Sequence, residues 1–355
     1  MSVLPRRALA GCQTRNFCSS CQAKRSALFA ERLVEDILEP VPHRHFVFTM
    51  PRALRGLFER DRSLLGLLSR TAYEAIRVSF QALFGRDDVR PGVVASIQTF
   101  GSFAANFHPH IHMLVTEGVF DPEGAFLGLP SLDTSAIEEL FRRLLLRRLN
   151  QAERLSEELM LKLLAWHPSG LSVNADQLVM PHERQRLERL ARYLTRPALS
   201  VGSVRLAEDG RVVVETPPDP RTGESIKRLD VLDWIHAITS QIPDARSHLT
   251  RSYGRYANRV RGSRRESDTT LEPEAEPAFS KARRASWARL LKRIFEVDPM
   301  LCPRCGSELA VVAAITEPDV IDRILRHIAG GGGDDPIEPR GPPQHGQSDS
   351  AAAIH

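Results

Sequence analysis

Residues 98–115 read QTFGSFAANFHPHIHMLV, and this stretch decides the fold. GSFAANF in its middle has the composition of a turn or short loop, and apolar runs flank it on both sides. The pattern predicts two neighbouring strands, Val93–Thr99 and His110–Thr116. Strands joined by so short a connection pair antiparallel, so we expect a hairpin at the centre of a sheet.

Alternation along the second strand groups its histidines. Successive side chains point to opposite faces, so His110 and His112 share one face and Ile111 and Met113 face a core. His108 joins the pair if the strand begins that early. Imidazoles fixed on one face of a strand can hold a divalent metal and leave positions open for a substrate, so a divalent metal is the expected cofactor here.

Gln98 is a candidate third ligand. In a hairpin centred near Ala104 it lies opposite His110. A register slip of one residue would move it to the other face, so the prediction depends on the pairing.

Composition limits the class of protein. The chain has 355 residues, with 42% hydrophobic, 26% charged and a net charge of +4, which is ordinary for a globular protein of about two or three domains. No apolar run of about 18 residues predicts a membrane span, and no signal peptide is evident. We expect a cytoplasmic protein whose five cysteines bind metal rather than form disulfides.

Periodicity and breaker residues outline the remaining elements. We predict a strand over residues 44–50 and another over 169–173, helices over 52–84, 135–165, 182–194 and 229–241, and a hairpin with arms 200–206 and 212–215. Ser135 and Glu138 form a candidate capping box. The predicted parts are a cysteine module (1–40), a main domain (41–265), a linker (266–280), a basic segment with CPRCG (281–330) and a disordered tail (331–355).

Two groups of cysteines have the spacing of metal ligands. Cys12, Cys18 and Cys21 form C-x5-C-x2-C, and Cys302 and Cys305 form a second C-x2-C pair. Structural zinc usually takes four ligands, so neither group is complete by itself. We predict zinc at the first group and leave the second open.

Several motifs resemble one known family. NFHPHIHMLV with QTFG upstream looks like the metal-binding strand of the HUH endonucleases, and within them the chain resembles the rolling-circle insertion-sequence transposases. In the family's order the chain also carries CQTRNFCSSCQAKR, VPHRHFVFTMP, WHPSGLSV, LARYLTRPALS, HLTRSYGRYANR and WARLLKRIFEVDPMLCPRCG. The likeness spans roughly residues 12–330.

The resemblance implies an α+β fold. A relaxase-like antiparallel sheet would carry the histidines and be flanked by helices, with a small zinc module before it. Family members carry a further cysteine pair upstream that this chain lacks, so the module is expected to be truncated, with an incomplete or rearranged site. The implied activity is cutting and rejoining single-stranded DNA at transposon ends and target, through a phosphotyrosine link.

The chain differs from the family's pattern at the tyrosine nucleophile. The family's motif has its first nucleophile directly after an arginine and a second one four residues later, and here those positions hold Ser252 and Tyr256. Tyr253 lies one residue after the expected place. If this segment is helical, Tyr253 and Tyr256 share one face. Either Tyr256 acts alone, or Tyr253 replaces the lost partner, or this copy is inactive. Tyr193 is interpreted as structural or as a DNA contact.

Arginines surround the candidate nucleophiles. Residues 251–265 hold six arginines and no acidic residue, and Arg251, Arg255, Arg259 and Arg261 are the predicted contacts to the DNA backbone. A second basic run follows at 281–293.

Two other functions stay open. The string HPHIHML at 108–114 also fits the histidine-triad pattern of nucleotide hydrolases, although those proteins need neither zinc modules nor tyrosines between arginines. Ser252 and the short cysteine module also suit a non-catalytic DNA-binding remnant of a transposase.

Overall fold

The protein is described from a computed structural model. It describes residues 19–101, 106–166, 170–198, 203–216, 218, 223–268, 301–302, 305–309, 320, 323 and 326. The chain divides into two compact units, one comprising Met1–Ala275 and Arg289–Val297 and the other Glu276–Ala288 and Asp298–His355. Every element named below belongs to the first unit.

Strands and helices alternate irregularly along the chain. The strands are β1 (His43–Thr49), β2 (Gly92–Phe100), β3 (Phe107–Thr116), β4 (Gly118–Phe120), β5 (Phe126–Gly128), β6 (Ser172–Val179), β7 (Val204–Leu206), β8 (Val212–Glu215), β9 (Ile226–Leu229) and β10 (Thr250–Gly254). The helices are α1 (Ser19–Arg32), α2 (Arg52–Arg60), α3 (Leu64–Phe84), α4 (Thr134–Gln151), α5 (Glu157–Ala165), α6 (Arg184–Leu194), α7 (Val231–Thr239) and α8 (Asn258–Asp268), with a π-helical turn at Leu33–Ile37 after α1.

The central sheet has five strands in the order β10-β2-β3-β1-β6, and every neighbouring pair is antiparallel. The predicted hairpin is its middle, and its register places Gln98 opposite His110 as expected. The predicted α+β class, an antiparallel sheet that carries the histidines between flanking helices, is confirmed.

One face of the sheet forms the main core. Phe46, Phe48, Ile111 and Met113 are fully buried there, which confirms the predicted inward direction of the two β3 residues. Helices α2, α3 and α4 supply the other side of this core. Burial of each such side chain contributes roughly 1.5–3 kcal/mol, so this face fixes the register of the strands.

Two predicted long helices are each broken in two. The helix expected over 52–84 stops at Arg60, where Asp61 Oδ1 accepts a hydrogen bond from the Ser63 N–H at 3.0 Å. Such a local bond competes with helical pairing. The helix expected over 135–165 ends at Gln151, and Glu153 just beyond it has a φ of +56°.

The predicted capping box is wrong. Asp133 is the N-cap of α4, and its carboxylate accepts from the Ser135 N–H at 2.9 Å. Glu138 instead accepts from the Val173 N–H at 3.0 Å, which ties α4 to β6. The strand predicted at 169–173 is present as β6 (Ser172–Val179), which is longer and lies further along the chain than predicted.

The opposite face of the sheet carries the histidines, and α1, the π-helical turn and α6 cover part of it. Val94 and Leu114 from the sheet pack there against Leu33 and Leu190, and all four are buried. These helices leave the part of this face beside His110 and His112 open.

The arginine-rich segment begins as strand β10 (Thr250–Gly254), and helix α8 starts only at Asn258, after both tyrosines. Tyr253 lies in β10 opposite Val93, and Tyr256 lies in the following turn, where its N–H donates to the Tyr253 carbonyl at 3.1 Å. The expectation that the two tyrosines share a helix face is therefore wrong. Gly254 has a φ of +57°, and a Cβ there would lie 1.9 Å from the Pro91 carbonyl oxygen, so the chain turns where only glycine fits.

The predicted hairpin around Gly210 is present as β7 and β8, and β9 adds an unpredicted third strand. None of the helices in the described part of the chain is long and apolar enough to cross a membrane.

Candidate functional site

The two predicted metal ligands lie together on β3. His110 Nε2 and His112 Nε2 are 3.0 Å apart, and both residues are buried. Octahedral ligands about 2.1 Å from a cation and at right angles to each other are also about 3.0 Å apart. The separation of the two nitrogens therefore fits one shared divalent cation.

Hydrogen bonds set the tautomer of His110. Its Nδ1 lies 2.7 Å from the His108 carbonyl oxygen, which can only accept, so Nδ1 carries the proton. In the neutral ring Nε2 then has a free lone pair. A second-shell partner of this kind is typical of histidines that bind metal.

His45 on β1 orients the second ligand. Its Nε2 lies 3.0 Å from His112 Nδ1, and the rings are stacked with centroids 5.1 Å apart. If Nδ1 donates to His45, the Nε2 lone pair of His112 also points toward His110. Sequence analysis did not identify His45, although His43 and His45 lie two residues apart on β1, as His110 and His112 do on β3.

Burial keeps these imidazoles neutral. It lowers the pKa of His110 from 6.5 to about 4 and, with help from the neighbouring histidines, that of His112 to about 2. Burial likewise lowers the pKa of His45 to about 4. Neutral imidazole is the form that binds metal, so the site is prepared for a cation at neutral pH.

The described residues supply only part of a coordination shell. Within the described residues, no three or more His, Cys, Asp or Glu side chains are grouped to hold a metal ion. Two histidine nitrogens would occupy two positions of a divalent cation and leave the remaining positions to oxygen ligands. Oxygen atoms of a substrate can fill such open positions, as in catalytic rather than structural metal sites.

The predicted third ligand, Gln98, is close by but is engaged elsewhere. Its amide nitrogen donates to the carbonyls of Tyr193 and Leu194 at 3.1 and 3.2 Å, and its Oε1 lies 3.5 Å from Arg196 Nε. In this arrangement Gln98 holds the end of α6 against β2. Its role as a metal ligand stays a prediction.

Tyr193, at the end of α6, is the tyrosine beside the histidines. Its ring centroid is 5.2 Å from that of His112 and 6.1 Å from that of His45, both edge to face. The side chain is 40% exposed. The guanidinium of Arg196 lies over the ring at 4.7 Å. In the sequence, Arg186, Arg189 and Arg196 lie at helical spacing around Tyr193, and this pattern could have indicated its place in a phosphate-binding site.

Tyr253 lies on the opposite face of the sheet. Its ring stacks on Tyr73 of α3 with centroids 4.7 Å apart, and its hydroxyl lies 2.8 Å from Ser69 Oγ. This position belongs to the main core, so the structure does not bring Tyr253 to the histidine pair.

Tyr256 is on the histidine face but is fully buried. Its hydroxyl accepts from the Glu39 N–H at 3.1 Å and lies 2.7 Å from His43 Nε2. His43 is four residues from Val47, which pairs with His112, and four residues of strand span about 13 Å. The structure therefore separates this hydroxyl from His110 and His112.

A groove of about 850 Å³ opens beside the histidines. Its lining comes from β1, β3, β6 and α6 and comprises His45, Val47, Thr49, Gly101, His108, His110, His112, Asn174, Asp176, Gln177, Val179, Arg186, Arg189, Leu190, Tyr193 and Arg196. We call it the α6 groove.

The predicted DNA contacts of the 251–265 run lie outside the lining of this groove. Arg255 is paired with Glu39 at 3.2 Å, and Arg261 donates to the Tyr256 carbonyl at 3.1 Å. Arg251 donates to the His248 carbonyl at 3.3 Å, whereas Arg259 is exposed. Their contact with DNA stays a prediction.

Of the predicted zinc ligands, Cys12 and Cys18 lie outside the described residues, as does the basic run 281–293. Cys21 lies on α1. In the second unit, the Cys302 N–H donates to the Ser307 carbonyl at 2.8 Å, and a hydrogen bond from Ser307 lowers the pKa of the Cys305 thiol.

Comparison with known proteins identifies the class. Residues 92–264 match a family described as "Putative transposase", and residues 6–50 match a transposase zinc-binding domain. The first match contains the histidine strand and Tyr193, and the second contains Cys12, Cys18 and Cys21. The chain is an enzyme of the transposase class. Both matches point to the same class, because each is to a domain of transposases.

Individual relatives agree with this assignment. The transposase for insertion sequence element IS801 of Pseudomonas savastanoi pv. phaseolicola is 27% identical over 321 residues, covering 84% of this chain and 74% of the relative. A transposase of Sinorhizobium fredii (strain NBRC 101917 / NGR234), y4qJ, is 32% identical over 146 residues, covering 40% of this chain and 36% of the relative.

One solved structure was matched, the N-terminal origin-recognition/nickase domain of non-structural protein 1 from human bocavirus. It has 12% sequence identity and a TM-score of 0.24, over 67% of this chain and 98% of that one. A likeness this weak supports no conclusion about this chain.

Proposed function

We propose that this transposase nicks and rejoins single-stranded DNA through a covalent phosphotyrosine intermediate, with Tyr193 as the nucleophile. The observation that carries the proposal is the contact of an exposed tyrosine ring with His112, 5.2 Å between centroids, inside the α6 groove. Tyr256 and Tyr253 were expected from the sequence, but a buried hydroxyl and one on the other face of the sheet are poorly placed for a substrate in that groove.

The chemistry is a phosphoryl transfer. The Tyr193 hydroxyl attacks the scissile phosphorus and loses its proton, a bond forms between its oxygen and the 5′-phosphate, and the bond to the 3′-oxygen breaks to leave a 3′-OH. The energy of the phosphodiester is retained in the link, so a later 3′-OH can rejoin the strand without ATP.

His110 and His112 would hold the divalent cation, Mg²⁺ or Mn²⁺, that polarises the scissile phosphate when bound. His45 and the His108 carbonyl engage the Nδ1 atoms of His112 and His110, which leaves the two Nε2 atoms, 3.0 Å apart, for the cation. Arg196, with its guanidinium 4.7 Å from the Tyr193 ring, offers positive charge to the attacked phosphate.

We propose that single-stranded transposon ends and target DNA enter the groove in turn, as in rolling-circle transposition. For the N-terminal module we propose zinc bound by Cys12, Cys18 and Cys21, a set one ligand short of a structural site.

A covalent-adduct assay tests the nucleophile. Labelled single-stranded DNA from the element's ends is incubated with the full chain and Mn²⁺, and the adduct is separated on a denaturing gel. Tyr193→Phe is expected to abolish the adduct, because it removes the attacking oxygen and leaves the ring. Tyr253→Phe and Tyr256→Phe are the matched controls and are expected to retain it.

Other outcomes would identify other functions. An adduct that survives in Tyr193→Phe and disappears in Tyr256→Phe would restore the sequence-based assignment. DNA binding without any adduct would favour a non-catalytic remnant. Hydrolysis of a nucleoside phosphoramidate would favour a histidine-triad nucleotide hydrolase.

A further inference from the structure

The α6 groove has two walls of different chemistry. Helix α6 forms one wall, with Arg186, Arg189 and Tyr193 on one side at spacings of three and four residues, and Arg196 follows just beyond its end. Strands β1 and β6 form the floor. The span from Arg186 to Tyr193 along the helix is about 10 Å.

The helix wall carries positive charge toward the groove. Arg189 is exposed and makes no ion pair with any residue in the described part of the chain, and Arg186 is paired only with Glu183 at 3.1 Å. Among the groove's lining residues Asp176 is the one carboxylate, and it accepts a hydrogen bond from the Asn174 amide. The histidines are neutral, so arginine charge dominates and favours an anionic backbone.

The floor carries two amides beside the single carboxylate of Asp176. Asn174 and Gln177 of the edge strand β6 are exposed and line the groove. Residues three apart on a regular strand point to opposite faces. Here the pairing shifts between His45–Gln177 and Val47–Asn174, so β6 has one extra residue and both amides reach the histidine face.

These amides have the chemistry to read bases. Each offers a donor and an acceptor, which is what the edge of an unpaired base presents in return. Arginines hold phosphates whatever the sequence, whereas amides distinguish one base from another. In a single strand the bases are unpaired, so a floor of this kind can contact their edges directly.

We propose that Asn174 and Gln177 select the bases next to the scissile phosphate, while Arg186 and Arg189 hold the backbone of the same single strand. The inference rests on the proposed function, because that function supplies the single strand and places its scissile phosphate at Tyr193. It adds the residues that determine sequence preference. The bulge in β6 places Asn174 and Gln177 on the same face of the sheet.

A binding selection tests the proposal without any cleavage. The full chain with Tyr193→Phe is mixed with a randomised single-stranded DNA library, and bound molecules are sequenced. Adding Asn174→Ala and Gln177→Ala is expected to weaken the preference at one or two positions by roughly tenfold. Gln185→Ala, an exposed amide on α6 outside the groove lining, is the matched control and should leave the preference unchanged.

Replacing the two arginines is expected to have a different effect from replacing the amides. Arg186→Ala with Arg189→Ala is expected to reduce affinity for all sequences alike. The slope of log K against log salt should fall by about 0.7 for each lost phosphate contact. Arg184→Ala is the control, because Arg184 lies on the same helix but is paired with Glu35 at 2.7 Å outside the groove.

An unchanged base preference in the amide double variant would overturn this inference, as would the absence of single-strand binding by the Tyr193→Phe chain. Neither result depends on the adduct assay. If the unaltered chain forms no adduct but shows amide-dependent base preference, the proposed chemistry fails and the groove assignment stands.

Discussion

His45 determines which nitrogen of His112 faces the groove. A histidine can present either ring nitrogen to a metal, and the partner of the other nitrogen decides between them. His45 Nε2 at 3.0 Å from His112 Nδ1 is such a partner, and the His108 carbonyl does the same for His110. Alternation along one strand predicts the ligand pair, but the cross-strand partner depends on the β1–β3 register, which the sequence does not specify.

Replacing His45 is therefore expected to weaken metal binding without removing a ligand. His45→Ala should reduce Mn²⁺ affinity by about 10- to 100-fold, the usual effect of losing such a partner. His45→Asn should restore part of the affinity, since its amide oxygen can accept from Nδ1. Calorimetric titration with Mn²⁺ measures this, with the exposed His182→Ala as control. Equal affinities for His45→Ala and the unaltered chain would refute the positioning role.

Tyr256 is placed to stabilise the fold. Its buried hydroxyl joins β1, through His43, to the Glu39 backbone. Tyr256→Phe leaves buried polar groups without that partner and is expected to lower the free energy of unfolding by about 1–3 kcal/mol. Urea denaturation measures the loss, and Tyr193→Phe, whose ring is 40% exposed, should cost much less. A Tyr256→Phe chain as stable as its parent would contradict this assignment.

Helix α6 is the element that brings Tyr193 to His110 and His112, and β2 holds the end of this helix. Ser96 Oγ donates to the Leu194 carbonyl, and the Gln98 amide donates to the carbonyls of Tyr193 and Leu194. These bonds satisfy acceptors that every helix leaves free at its C-terminus. Because Ser96 and Gln98 alternate on β2, they fix the helix end over the same sheet face as the histidines.

Gln98→Ala distinguishes an anchor from a metal ligand. If Gln98 anchors α6, the rate of adduct formation should fall by about tenfold or more, since a shift of about 1 Å at a reacting group has large effects, while Mn²⁺ affinity stays the same. If Gln98 is the third ligand, as the sequence suggests, Mn²⁺ affinity should fall as well. Calorimetric titration beside the adduct assay separates the two roles, and Gln151→Ala on α4 is a neutral control.

Elements with a clear hydrophobic period were predictable, and those defined by long-range pairing were not. The β2–β3 hairpin and its Gln98–His110 register follow from alternation around a short turn. Strand β10 was missed because RSYGR has no strand alternation, and only pairing with β2 makes it extended. Spacing alone suggested a helix in which Tyr253 and Tyr256 share a face, whereas the structure packs them on opposite faces of the sheet. Tyr193 is near His112 only because α6 folds back over the sheet.

For the whole molecule, the buried histidines link stability to pH. Burial lowers the pKa of His43, His45, His108 and His110 to about 4 and that of His112 to about 2, from 6.5 in each case. Between the unfolded and folded values, the unfolded chain binds more protons. Stability is therefore complete above about pH 6.5 and is lost as the pH falls toward 4.

His43 provides the sharpest test, because it lies away from the groove. The depression of its pKa from 6.5 to about 4 corresponds to at most roughly 3.5 kcal/mol of pH-dependent stability. His43→Gln keeps a polar partner for Tyr256 but cannot titrate, so its unfolding free energy should depend less on pH between 6.5 and 4. Urea denaturation across this range, with chelator present, measures the two slopes. His182→Ala, which removes an exposed histidine, should keep the parent slope. A His43→Gln slope equal to that of the parent would mean that His43 is not held neutral by the fold.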